Sequence, residues 1–287
     1  MADPRTWLAG ARPRTLPAAV VPVAVGTAAV EMSPIWWRGL AALVVSLALQ
    51  VGTNYVNDYA DGERGTDDRR VGPVRLVAGG LATAGQVRLA ALAAFAVAAV
   101  VGLALTVAVG PELLAVGLAS IVAGWAYTGG PRPYGYLGLG ELFVFVFFGL
   151  VATVGSAYVQ VERVTALAVV AAVPVGLLSV ALLVINNLRD IPGDTASGKR
   201  TLAVRIGDPA TRRLYVGLLV AVGLGVAACG LFRLPALLGL VGLGFGVAPA
   251  RSVLAGATGR DLIPILGATG RTQLATGLLL ALGLGLG

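Results

Sequence analysis

Residues 39–75 read GLAALVVSLALQVGTNYVNDYADGERGTDDRRVGPVR, an uncharged run that passes without a break into five acids and four arginines. A hydrocarbon core of about 30 Å needs roughly 20 apolar residues per helix, and residues 39–57 meet that length. The run therefore reads as a membrane helix that leaves the bilayer directly into a dense cluster of ions. Asp and Glu do little to orient a membrane protein and are costly beside hydrocarbon, so five of them here need another cause.

The rest of the chain fits a lipid solvent. It has 287 residues, 57% of them hydrophobic and 12% charged, with 41 glycines and a mean hydropathy of +0.87. Soluble domains do not normally reach that balance. The expected fold is an all-α integral membrane protein, one polytopic domain over 1–287, with about nine transmembrane helices near 15–33, 39–57, 87–109, 111–128, 139–160, 164–187, 213–232, 235–254 and 271–286. The N-terminal stretch, with Pro13, Pro17 and Pro22 and no small-residue cleavage site, reads as a retained first helix. A cytoplasmic N-terminus then puts all 21 basic residues inside except Arg38, Arg163 and Arg233.

Several function classes fall away. The net charge of +7 comes from arginines that flank apolar runs, with Lys199 the single lysine, so membrane orientation explains it and nucleic acid is not an expected partner. Cys229 is the only cysteine and histidine is absent, which removes intrachain disulfides, imidazole ligands and His-based catalysis.

A second polar segment follows the sixth span, INNLRDIPGDTASGKRTL, where Asn186, Asp190 and Asp194 are spaced i, i+4, i+8. Continued helix would put them on one stripe, although Pro192 and Gly193 predict a distortion after Asp190. In the first segment Asn54, Asp58 and Asp61 are spaced i, i+4, i+7. Carboxylates this close repel unless a cation separates them, and Mg²⁺ takes oxygen ligands and shares them with phosphates. Arg75, Lys199, Arg200 and Arg132 are interleaved with these acids and offer phosphate donors, so the two segments read as a metal-bound diphosphate site. Glu141, near the inner end of the fifth span, is either a functional ionisable group or a partner of the helix dipole. Tyr127, Tyr134 and Tyr136 suit either a membrane interface or the π walls of a pocket.

These motifs resemble those of the UbiA-type intramembrane prenyltransferases. NDYADGERGTDD, VGPVRLVAGG, YTGGPRPYGYLGLGE and NNLRDIPGDTASGKRTLAVRIG are similar to the branch that prenylates 1,4-dihydroxy-2-naphthoate in menaquinone biosynthesis. The resemblance implies a nine-helix bundle in a bacterial plasma membrane with its site on the cytoplasmic face. It implies transfer of a polyprenyl group from polyprenyl diphosphate to 1,4-dihydroxy-2-naphthoate, with loss of CO₂ and diphosphate and with Mg²⁺ as cofactor. Carried onto this chain, Asp58, Asp61 and Asp67 would hold one metal ion and Asp190 and Asp194 another. Asn54, Asn57 and Asn187 would assist, and Arg75, Lys199 and Arg132 would bind diphosphate. Glu141 would be a catalytic candidate, and Tyr127, Tyr134 and Phe143 would face an allylic cation. Gly65 stands where a DxxxD pair would place its second acid, so Asp67 would have to serve instead. The rival readings are a UbiA-type enzyme with another aromatic acceptor and an ion-coupled transporter.

Overall fold

The structure is a computed structural model that describes residues 3–31, 33–66 and 75–287. After a short α1 (Pro4–Gly10) and a 3₁₀ turn (Pro13–Thr15), nine apolar helices follow. They are α2 (Pro17–Ala28), α3 (Trp36–Glu63), α4 (Ala84–Val109), α5 (Glu112–Ala126), α6 (Gly140–Val161), α7 (Ala166–Ala196), α9 (Asp208–Gly230), α10 (Leu234–Leu254) and α11 (Leu262–Leu286), with a short α8 (Leu202–Ile206) before α9. Each of the nine apolar stretches expected from the sequence is thus helical. By length and composition α3, α4, α6, α7, α9 and α10 can cross a membrane, while α2 and α5 are shorter apolar helices.

Local chemistry sets several starts. Thr83 and Gln86 form a reciprocal capping box on α4, and Thr165 and Thr201 cap α7 and α8 through their hydroxyls. Prolines open α2 and stand in the first turn of α9, where a missing N–H costs nothing.

α7 is the axis of the fold. Almost three quarters of its apolar stretch is buried, against a third or less in α3, α4, α6, α9 and α10. Val175 and Leu178 of α7 pack with Val21 and Val25 of α2, Val222 and Val226 of α9 and Leu280 of α11. The α6–α7 crossing is close because it is made of glycines: a Cβ on Gly149 would stand 2.6 Å from the Gly176 Cα. There α6 widens into a π-helical turn over Phe145–Val151, a distortion that proteins often place at functional sites.

Two of the three arginines expected on the far side prove to be staples. Arg38 donates to the carbonyls of Val159 (2.9 Å) and Ala108 (3.1 Å) and pairs with Glu162. Arg233 donates to the carbonyls of Ala28, Val30 and Leu284. All of these carbonyls except that of Val30, two residues past α2, lie in the last turns of α2, α4, α6 and α11, where helix dipoles favour positive charge.

At the other end the two longest helices overshoot. With about 1.5 Å of rise per residue, the 28 residues of α3 and the 31 of α7 reach roughly 42 and 46 Å, well beyond a 30 Å hydrocarbon core. The excess turns carry Asn57, Asp58 and Asp61 on α3 and Asn186, Asp190 and Asp194 on α7.

Candidate active site

Both acidic segments are the C-terminal ends of helices, where the negative end of the macrodipole draws cations. Contrary to the expected distortion, α7 runs through Pro192 to Ala196, so Asn186, Asp190 and Asp194 keep one helical stripe. Gly198 then takes a left-handed φ of 75°. The reversal lets Lys199 donate its backbone N–H to the Asp194 carbonyl at 2.8 Å, while Arg200 N bonds the Tyr136 carbonyl at 3.1 Å.

The turn carries the Lys199 ammonium between the two segments, 3.3 Å from Asp61 Oδ2 and 3.9 Å from Asp194 Oδ1. It also lies over the Tyr136 ring, 4.7 Å from its centroid. Tyr136 donates its hydroxyl to Asp61 Oδ1 at 2.5 Å. Burial, reinforced by the Asp61 charge, pushes the Tyr136 phenol above its ordinary pKa, so it stays a donor.

The remaining expected residues divide by what they touch. Asn57 Oδ1 accepts from Arg12 Nη2 at 2.8 Å and Arg75 Nη2 at 3.2 Å, which gathers two guanidinium groups beside the first segment. Asn54 donates to the Ala11 carbonyl and to Thr15 Oγ1, binding the N-terminal segment to α3. Both Asp58 oxygens accept backbone N–H groups at 3.0 Å, from Leu76 and Val77, so this carboxylate fastens the segment that begins at Arg75. Asp190 is gripped by its neighbour Arg189, through Nε at 2.7 Å and Nη2 at 2.8 Å. Asn187 donates to Glu141 Oε1 at 2.9 Å, and the buried Glu141 Oε2 has no hydrogen-bond partner among the described residues. Arg132 is exposed on the loop after α5, and among the described residues it makes no hydrogen bond or ion pair. Asp67 lies outside the described residues. Among those described, no three Asp, Glu or Cys side chains cluster as metal ligands.

A cavity of about 830 Å³ opens beside this array. Its polar end is lined by Arg12, Asn54, Asn57, Arg75, Asn186 and Arg189. Tyr127, Tyr134 and Phe143 line the cavity together: Tyr134 stacks on Phe143 at 4.0 Å and meets Tyr127 edge-on at 5.5 Å. The cavity then runs along α3 to Ala42 and past Leu105 and Val159. Its side reaches Leu103, Leu114 and Leu118, each more than half exposed.

Residues 19–261 match the UbiA prenyltransferase family. The chain is a member of that family. It is 49% identical to the 1,4-dihydroxy-2-naphthoate octaprenyltransferase of Mycobacterium tuberculosis, over 98% of this chain and 97% of that one. The enzyme of the same name from Escherichia coli is 38% identical over 98% of this chain and 95% of its own. The fold is shared with a UbiA homolog from Archaeoglobus fulgidus at a TM-score of 0.69 and 13% identity, covering 98% and 100% of the two chains. That homolog bound to DMAPP and Mg²⁺ gives a TM-score of 0.64 at 14% identity, over 96% and 99%.

In this UbiA chain three site residues escape the sequence reading in their roles. Arg12 and Arg189 were counted there only as charges that orient the chain, and Tyr136 only as a ring. Arg12 has a left-handed φ of 55°, rare for a residue with a Cβ, and the bond from its side chain to Asn57 accompanies it. An arginine directly preceding a motif aspartate was the legible signal for Arg189.

Proposed function

We propose that this chain transfers a polyprenyl group from polyprenyl diphosphate to 1,4-dihydroxy-2-naphthoate, releasing diphosphate and CO₂ and giving demethylmenaquinol. The observation that carries the reading is the Lys199 bridge between Asp61 and Asp194, which joins the two motifs, while their neighbours Asn57, Asp58, Asn186 and Arg189 line an aromatic-walled cavity. The close similarity to naphthoate octaprenyltransferases along nearly the whole chain supports the acceptor.

Lys199, Arg75 and Arg12 hold the diphosphate, lysine as a point charge and the arginines as forks. Negative charge grows on that group as the allylic C–O bond breaks, and fixed cations in a water-poor site stabilise it. The π faces of Tyr127, Tyr134 and Phe143 stabilise the allylic cation and leave water little access to it. The electron-rich ring carbon forms the new C–C bond. The bond from the ring to its carboxylate then breaks, its electron pair restores aromaticity, and CO₂ leaves. Asp58 acts by fixing the segment that carries Arg75, and Glu141 by holding Asn187.

The donors fit a hard divalent cation: they are carboxylate oxygens at helix C-termini, and an ammonium already lies between two of them. Asp61, Asp190 and Asp194, with Asp67, would hold Mg²⁺, which neutralises diphosphate charge when bound. The nine helices cross the membrane with the N-terminus and the site on the cytoplasmic face of the bacterial plasma membrane, as the arginine distribution supports.

The test is prenyl transfer by purified protein, with radiolabelled prenyl diphosphate and 1,4-dihydroxy-2-naphthoate, in Mg²⁺ and in EDTA. A lipid-soluble prenylated naphthoquinol formed only with metal is the expected result. Product with 4-hydroxybenzoate and none with naphthoate would overturn the acceptor.

A further inference from the structure

Three residues after Asp61, Arg64 ends α3 and turns its side chain toward the loop that joins α5 to α6. Nη1 donates to the Thr128 carbonyl at 2.5 Å and Nη2 to the Gly130 carbonyl at 2.6 Å. The fork thus closes on two carbonyls just past the end of α5, where the helix dipole favours a cation. The guanidinium also lies over the Tyr136 ring, 5.3 Å from its centroid. Arg64 is exposed and does not line the cavity, so it can reach the cavity's chemistry only through the loop it grips.

That loop carries the aromatic side of the cavity. Tyr127 directly precedes Thr128, and the chain folds back on it: the Gly135 N–H donates to the Tyr127 carbonyl at 3.0 Å, and a Cβ on Gly135 would stand 2.6 Å from the same oxygen. Tyr134 stacks on Phe143 at 4.0 Å, and Tyr136 donates to Asp61 and lies under Lys199. One guanidinium therefore joins the end of α3 to the segment that presents Tyr127 and Tyr134. We propose that Arg64 is a positioning residue that locks this aromatic side against the first acid motif and so decides whether the cleaved prenyl group is captured by the aromatic acceptor or by water. The role rests on the prenyl-transfer reading. An allylic cation is taken by whichever nucleophile reaches it. The acceptor's ring carbon forms a C–C bond, whereas water forms a C–O bond as the bond to diphosphate breaks, gives one proton to the diphosphate and leaves a polyprenol. Closure that keeps water out suppresses the second path. Lysine cannot supply the same lock, because a point charge does not span two carbonyls as a planar fork does.

Full-length protein in lipid nanodiscs, supplied with radiolabelled polyprenyl diphosphate, Mg²⁺ and 1,4-dihydroxy-2-naphthoate, gives both products in one extraction. Arg64→Gln should raise the polyprenol share of the cleaved donor about 10-fold and lower kcat for transfer about 10- to 100-fold, the scale of a small misplacement at the reacting centre. The KM for polyprenyl diphosphate should stay within about twofold, since no phosphate contact is removed. Arg64→Lys keeps the charge and should still divert product to polyprenol several-fold, with a thermal midpoint close to that of wild type. An unchanged polyprenol share in both variants overturns the proposal, as does a proportional loss of both products, which would make Arg64 part of the scaffold alone. A wild-type partition in Arg64→Lys, with an Arg64→Gln effect confined to the diphosphate KM, would make the residue a phosphate-binding charge and overturn the proposal too. Polyprenol but no prenylated product from wild-type protein, whichever aromatic acid is offered, would instead sink the prenyl-transfer reading on which the role rests.

Discussion

Lys199 Nζ lies 3.3 Å from Asp61 Oδ2 across 138 positions of sequence, and this contact joins the end of α3 to the turn after α7. Under the proposed reading the ammonium is a phosphate ligand as well as the counter-ion of Asp61 and Asp194. Lys199→Ala is expected to lower kcat/KM for prenyl transfer by about 100-fold or more, the usual scale for one buried charge aimed at a leaving group. Lys199→Arg should recover part of the activity. Wild-type rates in Lys199→Ala would remove the residue from the site.

Asp58 and Asp61 are three residues apart and do different work. Asp58→Ala exposes two backbone N–H groups of the Leu76 segment, so it should cost about 2 kcal/mol of stability and raise the diphosphate KM through Arg75. The Mg²⁺ concentration giving half-maximal rate should stay within about twofold, whereas Asp61→Asn should raise it about 10-fold or more. A large metal effect in Asp58→Ala would return that residue to the ligand set.

Tyr136 gives the alkaline signature. Its pKa is raised in the folded protein above the ordinary tyrosine value of about 10. A raised pKa means stability that is fully present below the unfolded value and is lost as pH rises through the folded one. The stability difference between wild type and Tyr136→Phe should therefore hold constant from pH 7 to about 10 and shrink only above. Thermal denaturation of both proteins across that range checks the sign, and a difference that vanishes by pH 9 would contradict it.

Gly149 and Gly155 lie in one helix and should answer oppositely to alanine. The Gly149 Cβ would meet the α7 backbone, whereas nothing lies within 4 Å of the Gly155 Cβ. Gly149→Ala is expected to cost about 1–3 kcal/mol by overpacking, and Gly155→Ala to be neutral or slightly stabilising through helix propensity. Thermal shifts in lipid nanodiscs report both.

Ala42 marks the far end of the cavity. Ala42→Phe should raise the KM for a long polyprenyl diphosphate several-fold and spare a geranyl donor, whose shorter tail stops earlier. Equal effects on both donors would place the tail elsewhere.

Much of this was readable in advance because it is periodic or repeated. The apolar runs and the amide-and-acid stripes on α3 and α7 follow from spacing within a helix. What escaped depends on contacts that close in three dimensions. Asp58 is occupied by a segment 18 residues away, and Arg38 and Arg233 reach carbonyls on other helices. Pro192 and Gly193 pointed to a distortion after Asp190, but the helix continues past them to Ala196. The α6 π turn leaves no pattern in FVFFGLV that differs from ordinary helix.

The exposed leucines at the side of the cavity, Leu103, Leu114 and Leu118, have a kinetic consequence. α5 packs on α3 and α4, and Leu114 and Leu118 on α5 and Leu103 on α4 are both exposed and part of the cavity lining. A tail that enters there is sampled from the bilayer plane, so its effective concentration is a mole fraction in lipid. The rate should then follow the prenyl donor-to-detergent ratio: adding empty micelles would slow the reaction at constant bulk substrate, while the water-borne aromatic acid would obey its ordinary molar concentration.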